Sequence, residues 1–145
     1  MKRLLFAFFI SCFLLTACNT TKKTTASTPK VSQLEGAWEL NFITGPRIAF
    51  DGLYPNKKPA IIFDVANNRM SGNTSCNNFT GKLNVDGNKI SFTDPMAMTK
   101  MMCLDGNGEN VFVEALKKVD SWSVMDNNTL NFRMGDVVMM RFIKK

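Results

Sequence analysis

Four cysteines, ten methionines and not one histidine set the chemistry open to this 145-residue chain. Cys18 closes the box Leu15-Thr16-Ala17-Cys18, after an apolar run from Leu4 to Leu14 that follows Lys2-Arg3. A basic start, a short apolar stretch, small residues and then cysteine is the layout of a bacterial lipoprotein signal. The chemistry expected of Cys18 is therefore acylation, with a diacylglycerol thioether replacing the cleaved peptide 1–17. The apolar run is about ten residues long, whereas a bilayer span takes roughly 20. An ordinary secretory signal would end in a small residue rather than a cysteine. Each acyl methylene buried in lipid contributes about 0.8 kcal/mol, so two or three chains anchor stably.

Cys12 leaves with the signal, and two cysteines remain in the body of the chain, Cys76 and Cys103. Outside the inner membrane the surroundings are oxidising, so an even pair can close a disulfide. Closing the loop between them would contribute roughly 3 kcal/mol by constraining the unfolded chain. Two buried free thiols are the alternative.

Met96, Met98, Met101, Met102 and Cys103 crowd one segment, and thioether and thiolate ligands suit Cu(I). Methionine is also a filler of irregular core gaps, and Met125, Met134, Met139 and Met140 show the chain using it freely elsewhere. Core packing is the favoured reading, and no metal or other cofactor is expected. Without histidine there is no Ser-His or Cys-His catalysis and no usual zinc site. Nor is there a phosphate loop ending in Lys-Ser/Thr. Asp86, Asp94, Asp105, Asp126 and Asp136 sit in turn-like sequence, and no nucleophile–base pair stands out. Asp105-Gly106-Asn107-Gly108-Glu109 begins like a calcium loop, but its twelfth position falls on Leu116, which cannot ligate. No enzyme activity is expected.

The elements that must hold these residues are legible in outline. Residues 18–32 are nearly devoid of apolar side chains and cannot offset their own ordering entropy, so they read as a flexible tether. Residues 33–145 suit one domain. Ala37 to Ile43 alternates with period two, placing Trp38, Leu40 and Phe42 on one face of a first strand. Residues 44–59, with Gly45, Pro46, Gly52, Pro55 and Pro59, read as an irregular loop. Ile61 to Val65 and Arg69 to Thr74 form a hairpin about Asn67-Asn68. Lys82 to Val85 and Lys89 to Phe92 form another about Asp86-Gly87, a favoured tight-turn pair. Val111, Phe112, Ala115, Leu116 and Val119 share one helical face, predicting a helix over about 108–119. Glu109 near its start and Lys117-Lys118 near its end suit the helix dipole, and Asp105 or Asn107 can cap it. Ser121 to Met125, Thr129 to Met134 and Val137 to Ile143 make a closing meander. The fold class is α+β: a small, mostly antiparallel curled sheet or open barrel of about eight strands with one amphipathic helix.

Three stretches carry a resemblance. Ser71-Gly72-Asn73-Thr74-Ser75-Cys76-Asn77-Asn78-Phe79-Thr80-Gly81 resembles the Gly-x-x-x-Cys-Asn-x-Phe-x-Gly signature of the META domain, HslJ-like family. Ser75 stands where many members have glycine. Thr99-Lys100-Met101-Met102-Cys103 is similar to the family's Thr-x-Met-x-Cys motif, and Leu34-Glu35-Gly36-Ala37-Trp38-Glu39-Leu40 to its Leu-x-Gly-x-Trp-x-Leu opening. The resemblance covers the whole of residues 33–145. It implies a small β-rich domain with one helix, often exported as a lipoprotein and linked in relatives to heat-shock response, antibiotic tolerance and, in some parasites, virulence. It implies no catalytic set. Gly72 and Gly81 would allow close approach around Cys76-Asn77, Asn77 would hold a tight turn by local bonds, and Phe79 would plug the core. Each cysteine lies in a motif, so if the two motifs meet at one end of the sheet the sulfurs come within bonding reach.

Loss of Lys2 and Arg3 with the signal takes the net charge from +6 to about +4. The lysines are scattered and no stripe interleaves arginine with aromatics, which excludes nucleic acid as a partner. The expectation is a monomeric lipoprotein of the bacterial cell envelope, tied to a membrane by Cys18. Asn19 after the lipidated cysteine points to the outer membrane, facing the periplasm. The domain would touch an envelope protein or the cell wall, in envelope stress tolerance. The competing expectation is a carrier of an apolar small molecule in the mouth of a small barrel.

Overall fold

The computed structural model describes residues 30–103 and 107–145. The expected signal 1–17, Cys18, most of the tether, and Asp105 as a helix cap lie outside the described residues.

The chain enters through a 3-10 turn, Val31–Leu34, that takes up Val31 and Ser32 from the expected tether. Gln33 Oε1 accepts the Lys30 amide at 3.1 Å, and Leu34 is fully buried, so a local cap and one apolar anchor order the entry. The strands follow as β1 Gly36–Ile43, β2 Ala60–Asp64, β3 Arg69–Asn73, β4 Asn78–Lys82, β5 Asn84–Asp86, β6 Lys89–Ser91, β7 Ala97–Met98, β8 Ser121–Met125, β9 Thr129–Met134 and β10 Val137–Lys144. One turn of helix, α1 Phe50–Leu53, lies in the loop after β1, and α2 Gly108–Lys117 precedes β8. All strand pairs are antiparallel, in the spatial order β5-β6-β8-β9-β10-β1-β2-β3-β4-β7. β4 and β5 are separated only by Leu83, yet they pair at opposite ends of this row. That bent segment carries the sheet around on itself as a curled half-barrel.

The architecture is the expected α+β one, but with ten strands instead of about eight. β4 has a single large apolar residue, Phe79, and β7 has two residues in all, so neither gives a period-two signal long enough to read. The expected strand Lys82 to Val85 is split, because Leu83 turns inward and its amide bonds Asn68 O at 2.9 Å. β1 also departs from strict alternation. Trp38 and Leu40 are fully buried, but Phe42 is 37% exposed and Ile43 points in. A register shift against β10 between Leu40 and Phe42, a bulge, turns the strand over there.

The inside of the curl is filled by aromatic rings. Phe132 stands at the centre, 5.2 Å from both Phe92 and Phe142 and 6.4 Å from Phe63, measured between ring centroids. Trp38 and Trp122 are also sealed in, each with its indole N–H satisfied by a backbone carbonyl, Leu34 and Gly87 respectively. α2 lays Phe112, Ala115 and Leu116 on this core, as its apolar stripe requires. Asn107 occupies its cap position without a side-chain capping bond.

The long loop is pinned to the start of α2. The Tyr54 hydroxyl donates to Gly108 O at 3.0 Å, and burial pushes its phenol up from 10.0 to about 12. Tyr54 must stay protonated to remain buried, so its share of the stability is complete below pH 10. That share is lost as pH rises from 10 towards about 12. Urea midpoints on both sides of pH 10 should fall with pH more steeply for the native chain than for Tyr54→Phe; equal slopes would disprove this account.

Candidate functional site

The two cysteine motifs meet at one corner of the sheet. β3 ends at Asn73, residues Thr74 to Asn77 make the turn into β4, and Thr99 to Cys103 pass alongside after β7 has paired with β4. There Cys76 and Cys103 are joined in a disulfide with Cα atoms 5.7 Å apart. The bridge closes the site between the turn and the segment leading to α2.

Asn77, 1% exposed, is the hub. Its side-chain carbonyl Oδ1 accepts two bonds of 2.8 Å, from the Thr99 hydroxyl and the Met101 amide. Its Nδ2 lies 3.2 Å from Met101 O, 3.2 Å from Glu109 Oε1, 3.4 Å from Cys103 Sγ and 3.7 Å from Cys76 Sγ. An amide has two protons to give, so the two oxygens take them and the sulfurs stand in longer contact. Thr74 completes the frame. Its Oγ1 accepts the Asn77 amide at 3.0 Å, and its hydroxyl faces Asn77 O and a short contact with Glu109 Oε2. The amide of Thr74 also donates to Asn77 O at 2.8 Å. Among the described residues no buried side-chain nitrogen or oxygen lacks a partner. The corner is therefore a satisfied, partly buried polar network, which fixes one arrangement of the chain.

Ser75 sits at the tip of the turn with φ +87°, in the left-handed region that favours glycine. Its amide donates to Asn73 Oδ1 at 3.1 Å, a bond that any residue there would keep. Ser75→Gly should therefore raise stability by about 0.5–1 kcal/mol, the relieved strain less the added chain entropy. A thermal melt that shows no rise would count against strain at this turn.

The META domain profile matches residues 32–145. The chain belongs to the META domain family. No curated protein matches. Among solved structures, the META domain of this chain is similar to a protein from Burkholderia xenovorans solved by NMR, with 18% identity and a TM-score of 0.61 over 79% of this chain and 85% of that one. It is also similar to a DUF4847 family protein from Bacteroides vulgatus solved by crystallography, with 14% identity and a TM-score of 0.54 over 77% of this chain and 94% of that one. These likenesses bear on the fold alone.

The META motif residues take distinct places. Gly36 opens β1 at φ +105°, and Trp38 caps the core beside it. Gly72 lies opposite Phe79 across β3 and β4, where a Cβ would stand 2.1 Å from Ala60 O and 2.8 Å from the Phe79 ring. Phe79 is buried and its ring centroid is 6.1 Å from that of Phe112, so it does plug the core. Gly81 leaves room for Met70 and Met96, which would come within 3.2 Å of an added Cβ. Asn77 departs from its expected role, because its side chain bonds Thr99, Met101 and Glu109, 22 to 32 residues away, and not the neighbouring amides. Met101 serves through its backbone N–H and C=O, while its side chain is 58% exposed. In the copper reading of the sequence, Met96 and Met98 pack against the core, Met102 is 89% exposed, and the Cys103 sulfur is spent on the disulfide.

Two members of the corner escaped the reading of the sequence, Thr74 and Glu109. Thr74 lies inside the first motif but is not among its signature positions. Glu109 reads locally as an acidic residue favoured at a helix start, and nothing short-range ties it to Asn77.

Proposed function

We propose that this META domain is a non-catalytic interaction or structural module of the bacterial cell envelope. It is tied to a membrane by lipidated Cys18, at the outer membrane facing the periplasm, and acts in envelope stress tolerance. The observation that supports the reading most is the filled interior. Trp38, Trp122, Phe63, Phe92, Phe112, Phe132 and Phe142 occupy the inside of the curl, where a carrier of an apolar ligand would keep space. An open groove of about 690 Å³ is lined by Lys82, Asp86, Lys89 and Asp120 together with the apolar Leu83, Val85, Ile90 and Val119, and none of those seven aromatic rings borders it. Among the described residues no helix is long and apolar enough to cross a membrane; the anchor rests on the Leu15-Thr16-Ala17-Cys18 box.

The anchoring half is tested by Cys18→Ser. The variant should accumulate as unprocessed precursor and take up no acyl label, while the native chain partitions into membranes. A variant still acylated and cleaved would refute the anchor. The module half is tested by native mass spectrometry of the protein taken from its own envelope. The bare acylated mass is expected, and a stoichiometric apolar small molecule would replace this reading with that of a carrier.

A further inference from the structure

The disulfide corner holds a third donor that the module reading does not use. Cys76 Sγ, Cys103 Sγ and a carboxylate oxygen of Glu109 all lie within 4.8 Å of one another, each half-buried. The three come from different parts of the fold: the turn after β3, the segment after β7 and the first turn of α2.

We propose that the reduced form of this corner is a binding site for a divalent cation of the zinc class, held by Cys76, Cys103 and Glu109, so that a metal replaces the disulfide as the cross-link. The proposal does not depend on the anchor or on the envelope partner. Oxidised, the two sulfurs are bonded to each other and neither is a thiolate. A dithiol reductant opens the site: it supplies two electrons and two protons, the Cys76–Cys103 bond breaks to give two thiols, and the reductant is left as its own disulfide. Metal binding then displaces the two thiol protons, because thiolate is the ligand form.

The donor set fits the ion. Tetrahedral zinc takes sulfur at about 2.3 Å and carboxylate oxygen at about 2.0–2.2 Å, which places donors about 3.4–3.8 Å apart. The sulfurs, once released, must part to that spacing, and a Glu109 carboxylate oxygen already lies within 4.8 Å of both. Three protein donors leave a fourth position for water or another ligand.

The surroundings are arranged as an outer shell. The Thr74 hydroxyl engages Glu109 Oε2, while Oε1 accepts from Asn77 Nδ2. Asn77 Nδ2 stands beside both sulfurs, and the N–H it now gives Glu109 Oε1 can pass to a thiolate once that carboxylate turns to the metal. Charge then favours occupation. Two thiolates and a carboxylate would carry three negative charges in a half-buried corner. Among the described residues, their hydrogen-bonding neighbours are the neutral Thr74 and Asn77 side chains and the Met101 carbonyl. A divalent cation offsets two of the three charges.

The test uses the full chain in detergent with Cys12→Ser and Cys18→Ser, so that only the corner thiols respond. It is reduced with a phosphine, freed of reductant without air and titrated with Co2+, then with Zn2+ in competition. The reduced chain should take up one Co2+ with a thiolate charge-transfer band, and the oxidised chain none. Glu109→Gln should weaken uptake at least tenfold, and Cys76→Ser should remove the two-thiolate spectrum. Equal uptake by the oxidised and reduced chains, or unchanged affinity in Glu109→Gln, would overturn the assignment. If the reduced chain loses its near-ultraviolet circular dichroism, addition of Zn2+ should restore it, and failure to do so would equally overturn the site.

Discussion

Gly72→Ala should destabilise the domain by about 4 kcal/mol, at the upper end of single substitutions. The added Cβ would stand 2.1 Å from Ala60 O and 2.8 Å from Phe79 Cζ. The first of these atoms is backbone, and no rotamer change can move it. β2 and β3 are paired from Ala60 with Asn73 to Asp64 with Arg69, so relief means prising that ladder apart beside the disulfide turn. The second clash pushes Phe79 off the glycine that it covers across the strands, and away from Phe112. Urea unfolding reads the loss directly, as a lower midpoint at unchanged slope. The double variant Gly72→Ala with Phe79→Leu separates the two clashes. Trimming the ring should recover only a small part of the loss, because the carbonyl contact persists. A loss under about 1 kcal/mol in the single variant would mean that the strands part easily, against the argument made here.

Asn77→Ala should cost about 3 kcal/mol, through groups left stranded more than through the volume removed. The Met101 amide and the Thr99 hydroxyl lose a common acceptor, and Met101 O and Glu109 Oε1 lose a common donor. The turn and the segment before α2 would then be held mainly by the disulfide, so amide exchange should quicken at Met101 and at the Thr74–Asn77 turn ahead of the β9–β10 core. Asn77→Asp is the informative companion. It keeps the shape and the acceptor, but sets a second carboxylate against Glu109. One carboxyl of the pair is thereby held above its ordinary range in the folded state. The variant should therefore recover stability relative to the native chain as pH falls through the carboxylate range. Two variants with the same loss at every pH would mean that the amide donor is not what the corner requires.

Much of this domain is legible along the chain. Hydrophobic alternation locates β1, β2, β6 and the closing strands, and Asp86-Gly87 marks the turn between β5 and β6. The stripe Val111, Phe112, Ala115, Leu116 places α2 within two residues of its end. Those patterns are local. A strand or a helix repeats its burial every two or three to four residues, and the repeat is written in the residues themselves. Three spaced motifs likewise mark the family, and they single out Cys76, Asn77 and Cys103 before any contact is known.

Other features depend on what one segment meets in another. Phe42 turns outward because a bulge against β10 shifts the register, which no period within β1 records. β4 and β7 are strands because they find partners in β3 and in each other, although neither is long or apolar enough to announce itself. Asn77 has the chemistry of a turn residue, and only folding brings Met101 and Glu109 to its amide. By itself the sequence determined which residues are apolar, where the chain must turn and which cysteines are available to pair. The tertiary structure alone decided that Thr74, Asn77, Glu109 and the two sulfurs share one corner, because hydrogen bonds and ligand geometry act over a few ångströms of space while their members lie up to 35 residues apart along the chain.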